Sequence, residues 1–87
     1  MNKYFVSLDK KVKKILAKNE NLARLFYRQL NVLLNNPYNN ILDIKKLKWQ
    51  KNIYRLRIWK YRFLYEIFED RILIFFFDVG SRWDIYK

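Results

Sequence analysis

The chain has 87 residues, a length that fits one domain with a single, densely packed core. It carries 19 Lys and Arg against eight Asp and Glu, a formal charge of +11, with 52% apolar residues, one Gly, one Pro, no Cys and no His. These absences exclude a disulfide scaffold, a thiol nucleophile, Cys-ligated zinc and imidazole catalysis, and the charge points to a polyanionic partner.

Tyr4 to Leu8 is short, aromatic and β-branched and predicts a first strand. Asp9 suits the N-cap of a helix reaching about Lys18. Val12, Ile15 and Leu16 recur there at helical spacing, and Lys10, Lys11, Lys13, Lys14 and Lys18 occupy the remaining surface. Asn19 or Asn21 can cap a second helix, with Leu22, Leu25, Phe26, Leu30, Leu33 and Leu34 on one face and the run Asn35 to Asn40 as its end. So short a connection predicts two antiparallel helices in contact. Residues 41–52 read as a mixed connection anchored by Leu42, Ile44 and Leu47 among Lys45, Lys46, Lys48 and Lys51.

From Ile53 the period becomes two. Tyr54, Leu56 and Ile58 alternate with Arg55, Arg57 and Trp59; Tyr61, Phe63, Tyr65 and Ile67 alternate with Arg62, Leu64, Glu66 and Phe68. Arg71 to Val79 is almost continuously apolar, as expected of a central strand covered on both faces, with Glu69-Asp70 as the turn before it. Its longest wholly apolar stretch, Ile72 to Phe77, falls far short of the ~20 residues that cross a bilayer, and Met1 to Lys11 has no run of signal-peptide length. A soluble, cytosolic protein without a membrane partner is expected. Gly80 lies just past the last strand, where a left-handed backbone or a bulge would need it. The fold class is α+β: an N-terminal strand and a two-helix hairpin packed on one face of an antiparallel β-sheet, one domain over residues 1–87.

If Trp59-Lys60 is a two-residue loop, Ile58 faces Tyr61, Arg57 faces Arg62 and Arg55 faces Leu64. Tyr54, Leu56, Ile58, Tyr61, Phe63 and Tyr65 then form the face the helices cover. Arg55, Arg57 and Arg62 share the other face, where a bound phosphate would relieve the repulsion between Arg57 and Arg62. Arginine usage supports this reading: residues 1–53 hold ten Lys and two Arg, whereas residues 54–87 hold two Lys and five Arg. A two-residue turn before the last strand places Phe68 opposite Arg71, Ile67 opposite Ile72, Leu64 opposite Phe75 and Arg62 opposite Phe77. Leu64, Phe68, Leu73, Phe75 and Phe77 would then form an apolar patch beside the arginines, open to a partner unless residues 38–52 fold over it. Arg82 and Tyr86, four apart, would point to one side of an extended tail.

The stretch Tyr54 to Ile67, reading YRLRIWKYRFLYEI, resembles the signature hairpin of the RelE/ParE toxin superfamily, and Val79 to Tyr86, reading VGSRWDIY, resembles its closing motif. Asn36-Pro37 and Lys46-Leu47 also fit, so the similarity runs through nearly the whole chain. The resemblance implies the toxin of a type II toxin–antitoxin pair. Its RelE branch cleaves mRNA in the 70S ribosomal A site without metal or cofactor; its ParE branch poisons DNA gyrase. Position by position, the nuclease's basic set falls on Arg55, Arg57, Arg62 and Arg82 and its terminal phenol on Tyr86.

The nuclease branch is therefore expected, with a gyrase poison or an inactive antitoxin-binding relative as alternatives. The lysines at 10, 11, 13, 14, 18, 45, 46 and 48 would grip ribosomal RNA. The apolar patch would receive a cognate antitoxin, and the toxin alone would be a monomer. Three positions depart from the pattern: Trp59 replaces the usual Gly, Ser81 replaces a frequent His, and Arg57 stands where some relatives have Lys.

Overall fold

Two short polar side chains set the helical layer. In the computed structural model, which describes residues 3–48 and 50–81, the Asp9 carboxylate accepts from the Lys11 N–H at 3.0 Å and starts helix α1, Lys10–Lys18. Asn19 ends α1, and its side chain accepts from the Leu22 N–H at 3.2 Å to start helix α2, Glu20–Asn35. Each cap satisfies a first-turn donor that has no partner within its helix. Both caps agree with the sequence. Val12 and Leu16 from α1 and Leu22, Phe26, Leu30, Leu33 and Leu34 from α2 are buried against the sheet. Among the described residues no helix is long and apolar enough to cross a membrane.

Five strands form one sheet: β1 (Phe5–Leu8), β2 (Ile44–Lys46), β3 (Ile53–Ile58), β4 (Tyr61–Phe68) and β5 (Leu73–Ser81), in the order β1-β5-β4-β3-β2. The sheet is mixed, which corrects the antiparallel expectation: β1 runs parallel to β5, with Phe5 opposite Leu73 and Leu8 opposite Phe76. A parallel pair needs a long crossover, and here the helices and the three intervening strands supply it. Strand β2 emerges inside the segment read as a connection, with Ile44 opposite Leu56 and Lys45 opposite Arg55.

The β3–β4 hairpin has the register that the alternation predicts, with Arg57 opposite Arg62 and Arg55 opposite Leu64. Leu56, Ile58, Phe63 and Tyr65 enter the core beneath the helices, and Tyr54 and Tyr61 pack at its margin. The β4–β5 register differs from expectation for two reasons. Glu69–Arg71 form a 3-10 turn closed by Ile72 in the left-handed region (φ 51°), so the turn is longer and Phe68 faces Leu73 and Ile67 faces Ile74. A β-bulge between Leu64 and Tyr65 then advances β5, so Leu64 faces Asp78 and Arg62 faces Gly80. The bulge re-phases β5: Ile74 and Phe76 enter the core before it, and Val79 after it. Phe75 and Phe77 stay half-buried on the opposite face, so β5 is fully covered on its helical face only, not on both faces as its apolar composition suggests. Gly80 lies within β5 without a positive φ. Its value is space, since any side chain there would stand beside Arg62.

One exposed carboxylate ties three segments together. Glu69 accepts hydrogen bonds from the hydroxyls of Tyr4, at 2.8 Å, and Tyr38, joining the chain before β1, the loop after α2 and the β4–β5 turn. The Tyr38 and Tyr4 hydroxyls hold the Glu69 carboxyl below its ordinary value of 4.5. A depressed carboxyl contributes stability at pH values above its unfolded pKa, and that contribution disappears as pH falls through the folded value. Glu69→Gln is therefore expected to lower the denaturation midpoint at pH 7, with the difference from wild type shrinking below about pH 4.5. Urea titrations at both pH values measure this, and a difference that does not change with pH would contradict it.

Candidate nucleic-acid interface

The sheet face turned away from the helices carries the chain's basic site. Arg55 and Arg57 on β3, Arg62 and Leu64 on β4, and Phe75 and Phe77 on β5 line a groove of about 920 Å³. Its wall is built by Asp43, Lys45, Lys46, Leu47, Lys48 and Gln50. The wall exists because β2 pairs at the sheet edge and turns Asp43 and Lys45 to the same side as Arg57 and Arg55.

Asp43 organises the arginines. Arg55 Nη2 donates to Asp43 Oδ1 at 3.1 Å, and Arg57 Nε donates to Asp43 Oδ2 at 3.2 Å. The backbone secures the arrangement, with the Arg57 N–H donating to the Asp43 carbonyl at 3.0 Å. Arg55 is only 8% exposed, and its Nε is buried without a hydrogen-bond partner among the described residues. Arg57 is exposed, and Arg62 Nη1 reaches the Lys60 carbonyl at 3.5 Å. The repulsion between Arg57 and Arg62 is thus partly offset by a carboxylate of the chain itself, where the sequence suggests only a phosphate. Asp43 was missed. Its signal is its isolation: it is the only acid between Glu20 and Glu66, in a segment full of lysine.

The structure separates the eight candidate RNA-binding lysines into two groups. Lys45, Lys46 and Lys48 stand in the groove wall. Lys10, Lys11, Lys13, Lys14 and Lys18 are exposed on α1, on the helical side of the sheet. Lys11 is engaged there: its Nζ lies 2.9 Å from Asp78 Oδ1, a bond that raises its pKa.

The candidate antitoxin patch is also divided. Leu64 is buried on the groove floor. Phe75 and Phe77 are half-buried beside it, their ring centroids 6.3 Å apart. Phe68 and Leu73 face each other at the turn end of the sheet, with the Arg71 guanidinium 5.7 Å from the Phe68 ring. From the segment 38–52, Asp43, Lys45 to Lys48 and Gln50 flank the patch through the groove wall and leave Phe75 and Phe77 partly open. Arg82 and Tyr86 lie outside the described residues.

Guanidinium groups stay protonated across the physiological range and offer paired N–H donors to phosphate oxygens. Held beside an apolar floor, they can bind a nucleic-acid phosphodiester and stabilise extra negative charge on it.

No family model matches the sequence, and no curated protein matches it. Solved structures do. The chain is similar to the archaeal RelE–RelB complex from Pyrococcus horikoshii OT3, with 25% identity over 93% of this chain and 97% of that one and a TM-score of 0.80. It is also similar to the RelB–RelE antitoxin–toxin complex from Methanococcus jannaschii, with 28% identity, 93% and 95% coverage and a TM-score of 0.71. The isolated E. coli RelE toxin shares the fold at 22% identity, with 95% and 90% coverage and a TM-score of 0.76. In fold the chain is similar to these RelE toxins, and its hairpin resembles the signature of the same superfamily.

Proposed function

We propose that the chain is the toxin of a type II toxin–antitoxin pair and acts as a ribosome-dependent, metal-independent mRNA endoribonuclease. The observation that carries this reading is the convergence of Arg55, Arg57 and Arg62 on one groove of the open sheet face. In the proposed reaction the ribose 2′-oxygen attacks the adjacent phosphorus. The 2′-O–P bond forms, the P–O5′ bond breaks, and the products are a 2′,3′-cyclic phosphate and a 5′-hydroxyl. The 2′-OH proton goes to a base, and the departing 5′-oxygen receives a proton.

Arg55, Arg57 and Arg62 bind the phosphate and stabilise the dianion that develops at phosphorus. As the family resemblance implies, Arg82 stabilises the transition state or protonates the leaving oxygen, and Tyr86 orients or deprotonates the 2′-OH. Lys45, Lys46 and Lys48 hold the RNA backbone along the wall. The lysines of α1 hold ribosomal RNA through salt-sensitive phosphate contacts. Primer extension on mRNA during induced expression tests the proposal. Cleavage within translated codons is the expected result. Inhibition of supercoiling by purified gyrase, with intact mRNA, would replace it with the gyrase-poison reading.

A cognate antitoxin segment, apolar on one side and acidic on the other, covers Phe75 and Phe77 and pairs with the arginines. The RelE–RelB complexes among the structural relatives support a protein partner of this kind. Phe75→Ser with Phe77→Ser is expected to weaken antitoxin binding by several kcal/mol at most, given about 1.5–3 kcal/mol per large side chain buried. Because both rings are half-buried on the open face, the free toxin is expected to remain folded. Calorimetric titration with the antitoxin measures the loss. A double variant that cannot be recovered as folded protein would assign both rings to the core.

A further inference from the structure

Arg24 and Arg28 are the two arginines of the lysine-rich first 53 residues. Both lie on α2, one turn apart, in a helix that contains no lysine. With Asn21, Leu25 and Trp59 they line a recess of about 280 Å³ between α2 and the tip of the β3–β4 hairpin. Trp59 is 54% exposed and holds a φ of 57°. Two-residue hairpin loops reach positive φ readily with Gly, Asn or Asp, whereas a bulky side chain there is strained. An indole that leaves half its surface in water recovers little of that strain through packing.

We propose that Trp59, Arg24 and Arg28 form a second RNA contact that takes one unpaired base and its phosphate. The indole stacks on the base, and the two guanidinium groups hold the phosphate. The Asn21 carboxamide can meet the base edge. Arg24 is loosely held, 3.7 Å from Glu20 and 3.5 Å from the Asn21 carboxamide oxygen, and both its own side chain and that of Glu20 are largely exposed. A phosphate can therefore recruit it. The hairpin tip follows directly on the end of the sheet where Arg57 faces Arg62. A single strand leaving the groove at that end passes the tip and reaches Trp59. Paired RNA keeps its bases stacked inside the helix, so the site selects unpaired segments. The proposal rests on the RNA-directed reading of the groove and adds a contact outside it.

The test is a titration of the full chain with a 2′-O-methyl hexanucleotide, which has no 2′-OH to attack phosphorus, followed by fluorescence anisotropy. Trp59→Gly removes the ring and gives the turn the residue its backbone prefers. It is expected to weaken binding by about 5- to 150-fold, the range for one stacked base, with Tm equal to or above wild type. Trp59→Phe should retain most of the affinity. Arg24→Gln with Arg28→Gln should weaken binding and flatten its salt dependence.

Arg57→Ala with Arg62→Ala separates this site from the groove. Trp59→Gly should add its loss on top of that variant's. If the groove variant binds like wild type while Trp59→Gly binds weakly, the groove reading fails and the second contact stands. The second contact is overturned if Trp59→Gly binds the hexanucleotide within about twofold of wild type. Two accompanying results would then say what Trp59 does instead. A lowered Tm would make it a packing residue, and a loss of antitoxin affinity would make it a protein contact.

Discussion

Arg57→Ala is expected to slow translation-dependent mRNA cleavage by about 10²- to 10³-fold, the loss that follows removal of one preorganised donor to a developing oxyanion. The fold should survive the change. Arg57 is exposed, and Asp43 keeps its other partner, Arg55, at 3.1 Å. No buried group is stranded. Arg55→Ala is a poorer probe because it deletes a buried guanidinium, and lost stability would be entangled with lost chemistry. Arg57→Lys keeps the charge but loses the planar fork, so an intermediate rate is expected. By the family resemblance, Arg82→Ala should also abolish cleavage. Quantitative primer extension, with a melting curve for each variant, reads these effects. An Arg57→Ala protein that cleaves at a near wild-type rate would remove Arg57 from the reaction.

Phe26→Ala is expected to lower folding stability by about 3–5 kcal/mol, through lost apolar burial and the cavity left behind. Phe26 is fully buried on α2, and its ring centroid lies 4.8 Å from Phe63 and 5.1 Å from Phe76. It joins the helical layer to β4 and β5 at one point. Domains of this size hold about 5–15 kcal/mol in all, so the urea midpoint should fall by about a fifth or more. A midpoint shift equivalent to less than about 1 kcal/mol would mean that the core collapses around the gap.

The helices and the first hairpin were legible because their signals are local. Asp9 and Asn19 are cap residues placed just before helical periodicity, and alternation from Tyr54 to Ile67 sets the face of Arg55, Arg57 and Arg62. The last strand carries no such phase. Ile72 to Phe77 is apolar at every position, so nothing in its composition distinguishes a two-residue turn from a longer one or marks a bulge. Ile72 in the left-handed region closes the turn without the glycine that would announce it. The parallel partner of β1 is equally silent in sequence, since it lies at the far end of the chain. The arginine cluster could be read from parity alone. The carboxylate that organises it could not, because Asp43 reaches Arg55 and Arg57 only after β2 has paired with β3.

The pairing of β1 with β5 sets an order of assembly. The first strand of the sheet docks on the last, Phe5 against Leu73, and the apolar faces of α1 and α2 await strands that come after them in the chain. The rings they need, Phe63, Tyr65 and Phe76, all belong to later sequence. Pairings so distant along the chain close late in folding. The groove is therefore incomplete until β5 has been made and has paired with β4. Under the proposed function this separates manufacture from action. Under the same proposal, the interval while the sheet closes is when an antitoxin already present would engage the chain, before the groove is finished.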